Sequence, residues 1–171
     1  MMEYVTTLSG GDLRSIGKSN TVVRTIKTQK AFDNLFKLLS HKDRKVVMRA
    51  ADAIEKISIS NPHFIFKYKT QFLQLLHDAD NKELKWHLAQ IIPRLPLKDP
   101  ELQKTFKTLS DWLFNEAESK IVRVNSLQAI ADLSANDPEL RKKFLKLISH
   151  HSFTAPSLQV RLKKIVNKSL I

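Results

Sequence analysis

Apolar side chains recur along the chain at helical spacing. Between residues 46 and 57 they occupy positions i, i+4, i+7, i+8 and i+11, which form one face of a helix: Val46, Ala50, Ala53, Ile54 and Ile57. The same face returns 76 residues later as Val122, Ser126, Ala129, Ile130 and Leu133. It weakens after residue 160, where polar residues interrupt it, as is typical of a capping unit in a repeat array. The pattern predicts amphipathic helices rather than strands.

Residues that start helices keep a 38-residue period. Asn or Asp precedes a proline at Pro62, Pro100 and Pro138, and this pair favours a helix start because the side chain caps free N–H groups. A second set of N-cap residues predicts a second helix in each unit: Asp43, Asn81, Ser119 and Ser157. The units then run roughly over 24–60, 61–98, 99–136 and 137–171. Their first helices are expected at 29–40, 62–79, 100–117 and 138–151.

Two local features refine this organisation. Pro93 and Pro96 are expected to kink or end the second helix of the second unit near residues 92–95. Residues 1–28 are predicted to form an N-terminal capping segment, with a short helix after Ser19 and Asn20, that folds over the first unit of a repeat domain at 29–171. Its Gly17-Lys18-Ser19 resembles the end of a phosphate-binding loop. Five residues rather than four separate Gly11 from Gly17, however, and nothing downstream alternates with strand period to form the sheet that such a loop joins, so nucleotide binding is not expected.

The second-helix pattern resembles that of HEAT repeats. The run Val122-Arg123-x-x-Ser126-x-x-Ala129-Ile130 follows the cap Ser119, and Asp43-x-x-Val46-x-x-x-Ala50-x-x-Ala53-Ile54 is similar. The resemblance implies an all-α fold, a right-handed α-α superhelix of about four HEAT-like helix pairs. It suggests a small bacterial-type HEAT-repeat (armadillo-like) α-solenoid protein. Families of this type mostly serve as binding surfaces, although a few are DNA glycosylases.

Charge is distributed unevenly along the chain. The formal net charge is +12, and no acidic residue follows Glu139. The chain after Glu139 is therefore a basic block. Such a block indicates either an anionic partner or a solvated end of the repeat array. The residues predicted to contact an anionic partner are Arg141, Lys142, Lys143, Lys164 and Lys168.

A second candidate surface lies on the second helices, opposite their apolar faces. Helical spacing places polar side chains on this arc, which is expected to face the concave side of the solenoid: Arg49, Lys56, His87, Arg94, Asn125 and Lys163. They suit ligand binding, but a plain solvated face has the same composition. Lys85, Arg123 and Arg161 follow the repeated Val or Leu, a position that the resemblance to HEAT repeats implies makes bonds between neighbouring repeats.

The residue pattern gives little support for catalysis or for a metal or cofactor site. The chain has no cysteine and its histidines are scattered, so no metal site is expected. Asp52, between Arg49 and Lys56, is the best candidate for a tuned carboxylate, although an intrahelical ion pair explains it more simply. No catalytic or cofactor-binding residue is assigned. No segment is apolar enough to span a membrane or to act as a signal peptide, which favours the cytoplasm.

The sequence therefore predicts a non-catalytic scaffold that binds another protein, without a small-molecule cofactor or a membrane. Nucleic-acid binding through the basic residues after Glu139 is the alternative. A DNA-glycosylase-like activity is a third possibility, and it would depend on Asp52.

Overall fold

The computed structural model describes residues 2–12 and 16–169, without the side chains of Met2, Lys168 and Ser169. Helices account for 75% of the residues, and no strand occurs within the described ranges. The chain divides into two compact units, residues 1–71 and 72–171. The expected all-α fold, a helical-repeat solenoid, is confirmed.

The first unit is built from short helices around one long one. Its helices are α1 (Met2–Leu8), α2 (Ser19–Thr25), α3 (Gln29–Phe36), α4 (Arg44–Ser60) and α5 (His63–Phe66). A 3-10 turn, Lys37–Ser40, extends α3 to the residue where the first predicted helix ends. Helix α6 (Lys69–Asp78) begins in the first unit and ends in the second.

The second unit contains the remaining helices. They are α7 (Lys82–Ile91), α8 (Glu101–Phe114), α9 (Lys120–Ser134), α10 (Pro138–Ser149) and α11 (Pro156–Ser169). A 3-10 turn, Ile92–Arg94, follows α7, so the predicted effect of Pro93 is confirmed.

Side-chain caps fix the starts of three second helices as predicted. Asp43, Asn81 and Ser119 accept hydrogen bonds from backbone N–H groups at the starts of α4, α7 and α9. The prediction for Ser157 is wrong, because α11 begins one residue earlier, at Pro156. Of the three Asn/Asp-Pro pairs, Asp137 is the one whose side chain caps a helix, α10.

The single helix expected over residues 62–79 is also wrong, because a turn at Lys67 and Tyr68 separates α5 from α6. Side-chain contacts with α3 hold this turn. The Tyr68 ring stacks on Phe36 at 3.8 Å between centroids, and Lys67 Nζ lies 2.6 Å from Asp33 Oδ2.

Each unit packs around one second helix. Helices α1, α2, α3 and α5 all contact α4, whose residues 46–55 are buried on every side. In the second unit, α7, α8, α10 and α11 all contact α9. The apolar face predicted for α9, Val122 to Leu133, is buried there, and hydrophobic burial is the main force that holds such helices together.

A part-buried ion pair joins consecutive repeats in the second unit. Lys85 Nζ on α7 lies 2.5 Å from Glu118 Oε2, immediately before the cap residue Ser119, and 5.3 Å from the centre of the Trp112 ring. Burial alone would raise the pKa of Glu118, but hydrogen bonds from Lys85 and the Ser119 backbone N–H outweigh it and lower that pKa. Lys85 therefore makes the inter-repeat bond expected of its position.

Candidate functional site

Arg49, the first residue of the predicted concave surface, is only 1% exposed. Its guanidinium donates hydrogen bonds to the backbone carbonyls of Leu8 (2.6 Å), Gly10 (2.6 Å) and Asp12 (2.9 Å). The expectation that Arg49 lies on an open binding surface is wrong, because the N-terminal segment covers this arc of α4. Arg49 instead holds the end of α1 and the loop that follows it.

Lys56 and Asp52 are also engaged by the N-terminal segment. Lys56 Nζ bonds Asp52 Oδ2 at 2.7 Å and Asn20 Oδ1 at 2.8 Å, and the Ser19 hydroxyl donates to Asp52 as well. Asp52 is 7% exposed. A carboxylate covered in this way does not fit an open cradle for duplex DNA, so the glycosylase-like hypothesis gains no support from its setting.

The glycines before α2 allow this close covering. Gly11 and Gly17 both have positive φ, and a Cβ added to Gly17 would lie 2.9 Å from Nε of Arg49. Gly17-Lys18-Ser19 therefore packs on an arginine, with its serine bonded to Asp52, rather than forming a phosphate-binding loop.

The predicted surface residues of the second unit differ in their accessibility. His87 is buried at 5% exposure, so the expectation that it faces a partner is wrong. Asn125 is half-buried and donates to the carbonyl of Ile121 in its own helix. Arg94 is half-buried in the turn after α7, and Lys163 is exposed on α11. Of the two, Lys163 is the one fully accessible to a partner.

A groove that the sequence analysis missed lies between α9, α10 and α11. We define the α9–α11 groove by the side chains of α10 and α11 that line it, of which those on α10 share one helical face. Helix α10 contributes Arg141, Phe144, Leu145 and Ile148, and α11 contributes Arg161, Lys164, Ile165 and Val166. Its volume is about 760 Å³. The groove forms because α10 and α11 each pack on α9 more extensively than on one another.

The floor of the α9–α11 groove is apolar. Phe144 and Ile165 are each 6% exposed, whereas Leu145 is 53% and Val166 36% exposed. Two exposed aliphatic side chains beside two buried apolar ones form a small apolar patch to which a partner could add contact area. The sequence did carry a sign of it, because Phe144, Leu145 and Ile148 continue the i, i+3, i+4, i+7 series that begins at Arg141.

The rim of the α9–α11 groove is cationic. Arg161 Nη1 donates to the side chain of Gln128 at 3.0 Å, and Arg141 donates to the carbonyl of Ala135. Lys164 is exposed. The lining includes one carboxylate, Asp132, which accepts a hydrogen bond from Gln128 at 2.8 Å. The groove thus combines an apolar floor with three positive charges.

The basic residues predicted to act together have different surroundings. Arg141 and Lys164 line the groove. Lys142 pairs with Glu139 at 2.8 Å, and Lys143 donates to Gln103 Oε1 at 2.7 Å. The side chain of Lys168 lies outside the described residues. The block therefore does not form one uniform phosphate-binding stripe in the described part of the second unit.

Other kinds of site find no support within the described ranges. No group of three or more His, Asp or Glu side chains is placed to hold a metal ion among residues 2–12 and 16–169. In the same part of the chain, no helix combines the length and the apolar character that crossing a membrane requires.

Comparison with known proteins bears on residues 11–169. A family model described as a HEAT repeat domain matches residues 11–169, which include every helix from α2 to α11. No curated protein and no solved structure matches the chain.

Proposed function

Since the chain belongs to the HEAT-repeat family, we propose that it is a non-catalytic scaffold that holds a partner protein in the α9–α11 groove. HEAT repeats generally mediate protein interactions and are typically non-catalytic. The observation that carries the proposal is the half-exposed apolar floor at Leu145 and Val166. Exposed aliphatic side chains bordered by charged ones resemble an interface with an apolar core and a polar rim.

The concave arc of α4 contributes less to this proposal. Arg49, Asp52 and Lys56 are already bonded to the N-terminal segment, so a partner would have to displace that segment to reach them. Among the residues first predicted to form a binding surface, Lys163 is exposed on α11, although it does not line the groove. The second unit is therefore the better place for an interface.

Site-specific photo-crosslinking tests the proposal. A photoreactive amino acid at position 145 should capture partner protein in cells, because this side chain lies in the groove. The matched control carries the same amino acid at position 104, which is exposed on α8 and does not line the groove. Equal capture at both positions, or none at position 145, would contradict the proposed interface.

Nucleic-acid binding stays a prediction of the charge pattern. It has a distinct signature, since phosphate contacts make affinity fall steeply with salt. That alternative would be favoured if substituting any of the basic residues weakened DNA binding equally and substituting Leu145 left DNA binding unchanged.

A further inference from the structure

We infer that the α9–α11 groove binds an acidic amphipathic helix of a partner protein, an inference that rests on the proposed function and specifies its ligand. The groove joins two kinds of surface that such a helix presents together. Its apolar face would cover the floor, and its flanking carboxylates would meet the rim.

The floor has the spacing that a helix needs. Phe144, Leu145 and Ile148 lie along one face of α10, and Ile165 and Val166 contribute to the same floor from α11. Helices α10 and α11 thus supply apolar side chains to the groove from two sides. Side chains at i, i+3, i+4 and i+7 of a bound helix could enter it, as in other helix-in-groove complexes.

Exposure of the floor favours a macromolecule over a small ligand. Small-molecule sites enclose about 70–90% of the ligand surface. Here Leu145 and Val166 are open to solvent at 53% and 36%, so a small apolar ligand would remain largely wet. A helix carries its own backbone hydrogen bonds and can lie across such an open groove without leaving polar groups unsatisfied.

Charge decides the chemistry of the partner. Arg141, Arg161 and Lys164 border the floor, and the single carboxylate in the lining, Asp132, is bonded to Gln128. No acidic residue follows Glu139 anywhere in the sequence, so the local field is positive. Such a field attracts an acidic helix and repels a basic one.

The composition of the floor disfavours nucleic acid as the occupant. Single-stranded nucleic acids bind by stacking bases on exposed aromatic rings within a basic groove. The aromatic residue of this lining, Phe144, is 6% exposed, and the accessible floor is aliphatic. Aliphatic side chains match the Leu or Met face of a helix better than they match bases.

The test uses fluorescence anisotropy with three labelled peptides of about 18 residues, long enough for five helical turns. One carries Leu on one face and Glu on the flanks. The second has the same composition with the Leu positions scrambled, and the third has Lys in place of Glu. We expect the first peptide to bind with a Kd on the order of 10 μM, the scrambled peptide at least about tenfold more weakly, and the Lys peptide not at all.

Three variants locate the site. Leu145→Glu places a carboxylate on the floor, and Lys164→Glu reverses one charge of the rim, so each should weaken binding about tenfold. Lys142→Glu is the matched control, because it makes the same charge change on α10 outside the groove lining. It should change the Kd less than about twofold. Circular dichroism should confirm folding of every variant, since Leu145, Lys164 and Lys142 are all exposed.

Each alternative outcome overturns the inference. Equal binding of the scrambled peptide would mean that only charge is recognised. A DNA strand of about 20 nucleotides that binds tighter than the acidic peptide would identify a nucleic-acid surface. If no peptide binds while photo-crosslinking at position 145 still captures protein, the groove is an interface of other chemistry, and the inference fails although the proposed function stands.

Discussion

Replacing Gly17 with alanine tests the packing of the N-terminal segment on α4. Gly17 has φ of +54°, and an added Cβ would lie 2.9 Å from Nε, 3.0 Å from Cζ and 3.2 Å from Cδ of Arg49. These atoms cannot move freely, because the guanidinium is bonded to the carbonyls of Leu8, Gly10 and Asp12. The substitution should therefore push Arg49 off its carbonyl partners.

Two contributions set the size of the effect. A left-handed backbone costs alanine about 1 kcal/mol, after allowing for the lower entropy of its unfolded chain. Displacing the guanidinium weakens hydrogen bonds to a charged donor, worth about 2 kcal/mol for the buried carbonyl of Leu8. The carbonyls of the exposed Gly10 and Asp12 can bond to water instead and add little. The expected loss in free energy of unfolding is about 3 kcal/mol.

Gly10→Ala is the matched control. Gly10 also has a positive φ, of +78°, but no atom lies within 4 Å of an added Cβ. It should lose only the backbone contribution, about 1 kcal/mol. The difference between the two variants, about 2 kcal/mol, then measures the contact of position 17 with Arg49.

Urea denaturation followed by circular dichroism measures these free energies. Fluorescence reports the second unit separately, because both tryptophans, Trp86 and Trp112, lie in it. In an Arg49→Ala background, Gly17→Ala should cost no more than Gly10→Ala does, since the obstructing side chain is gone. Equal losses for Gly17→Ala and Gly10→Ala in the wild-type background would refute the reasoning, as would a Gly17→Ala penalty that is independent of Arg49.

Three further predictions concern hydrogen bonds and charges. Burial opposes ionisation of Asp33, but hydrogen bonds from Lys67 and other side chains outweigh it and lower its pKa to about 2. The stabilisation by ionised Asp33 is therefore present above about pH 4 and lost as pH falls towards 2. Asp33→Asn should lower the free energy of unfolding by about 1 kcal/mol at pH 7 and make it depend less on pH between 4 and 2. Glu118→Gln should likewise lower the free energy of unfolding by about 1 kcal/mol at pH 7. The wild type should lose stability as pH falls below the normal glutamate pKa, and the variant should not. Thermal melts from pH 7 to 3 measure this difference. Asn81→Ala removes the cap of α7 and should cost about 1 kcal/mol in urea denaturation, whereas Asn81→Asp should cost little.

Some of the candidate site could be read from local pattern. The basic residues after Glu139 include Arg141 and Lys164, which do border the groove. The part of the floor on α11 was not predicted. Charged residues separate Ile165 and Val166 from Val160, so residues 160–171 were interpreted as the weak face of a capping unit. Helical spacing gives the face on which a residue lies, but not whether a neighbouring helix covers that face.

The sequence by itself determined most of the helices and four of their caps, at Asp43, Asn81, Ser119 and Asp137. Helical periodicity and capping depend on residues within one or two turns of each other, which is why they can be predicted locally. Tertiary structure decided which helical arcs stay open. Arg49 became buried through carbonyls 37 to 41 residues away, and the α9–α11 groove opened because α10 and α11 both pack on α9. Exposure depends on contacts between distant segments, which periodic spacing along one helix does not specify.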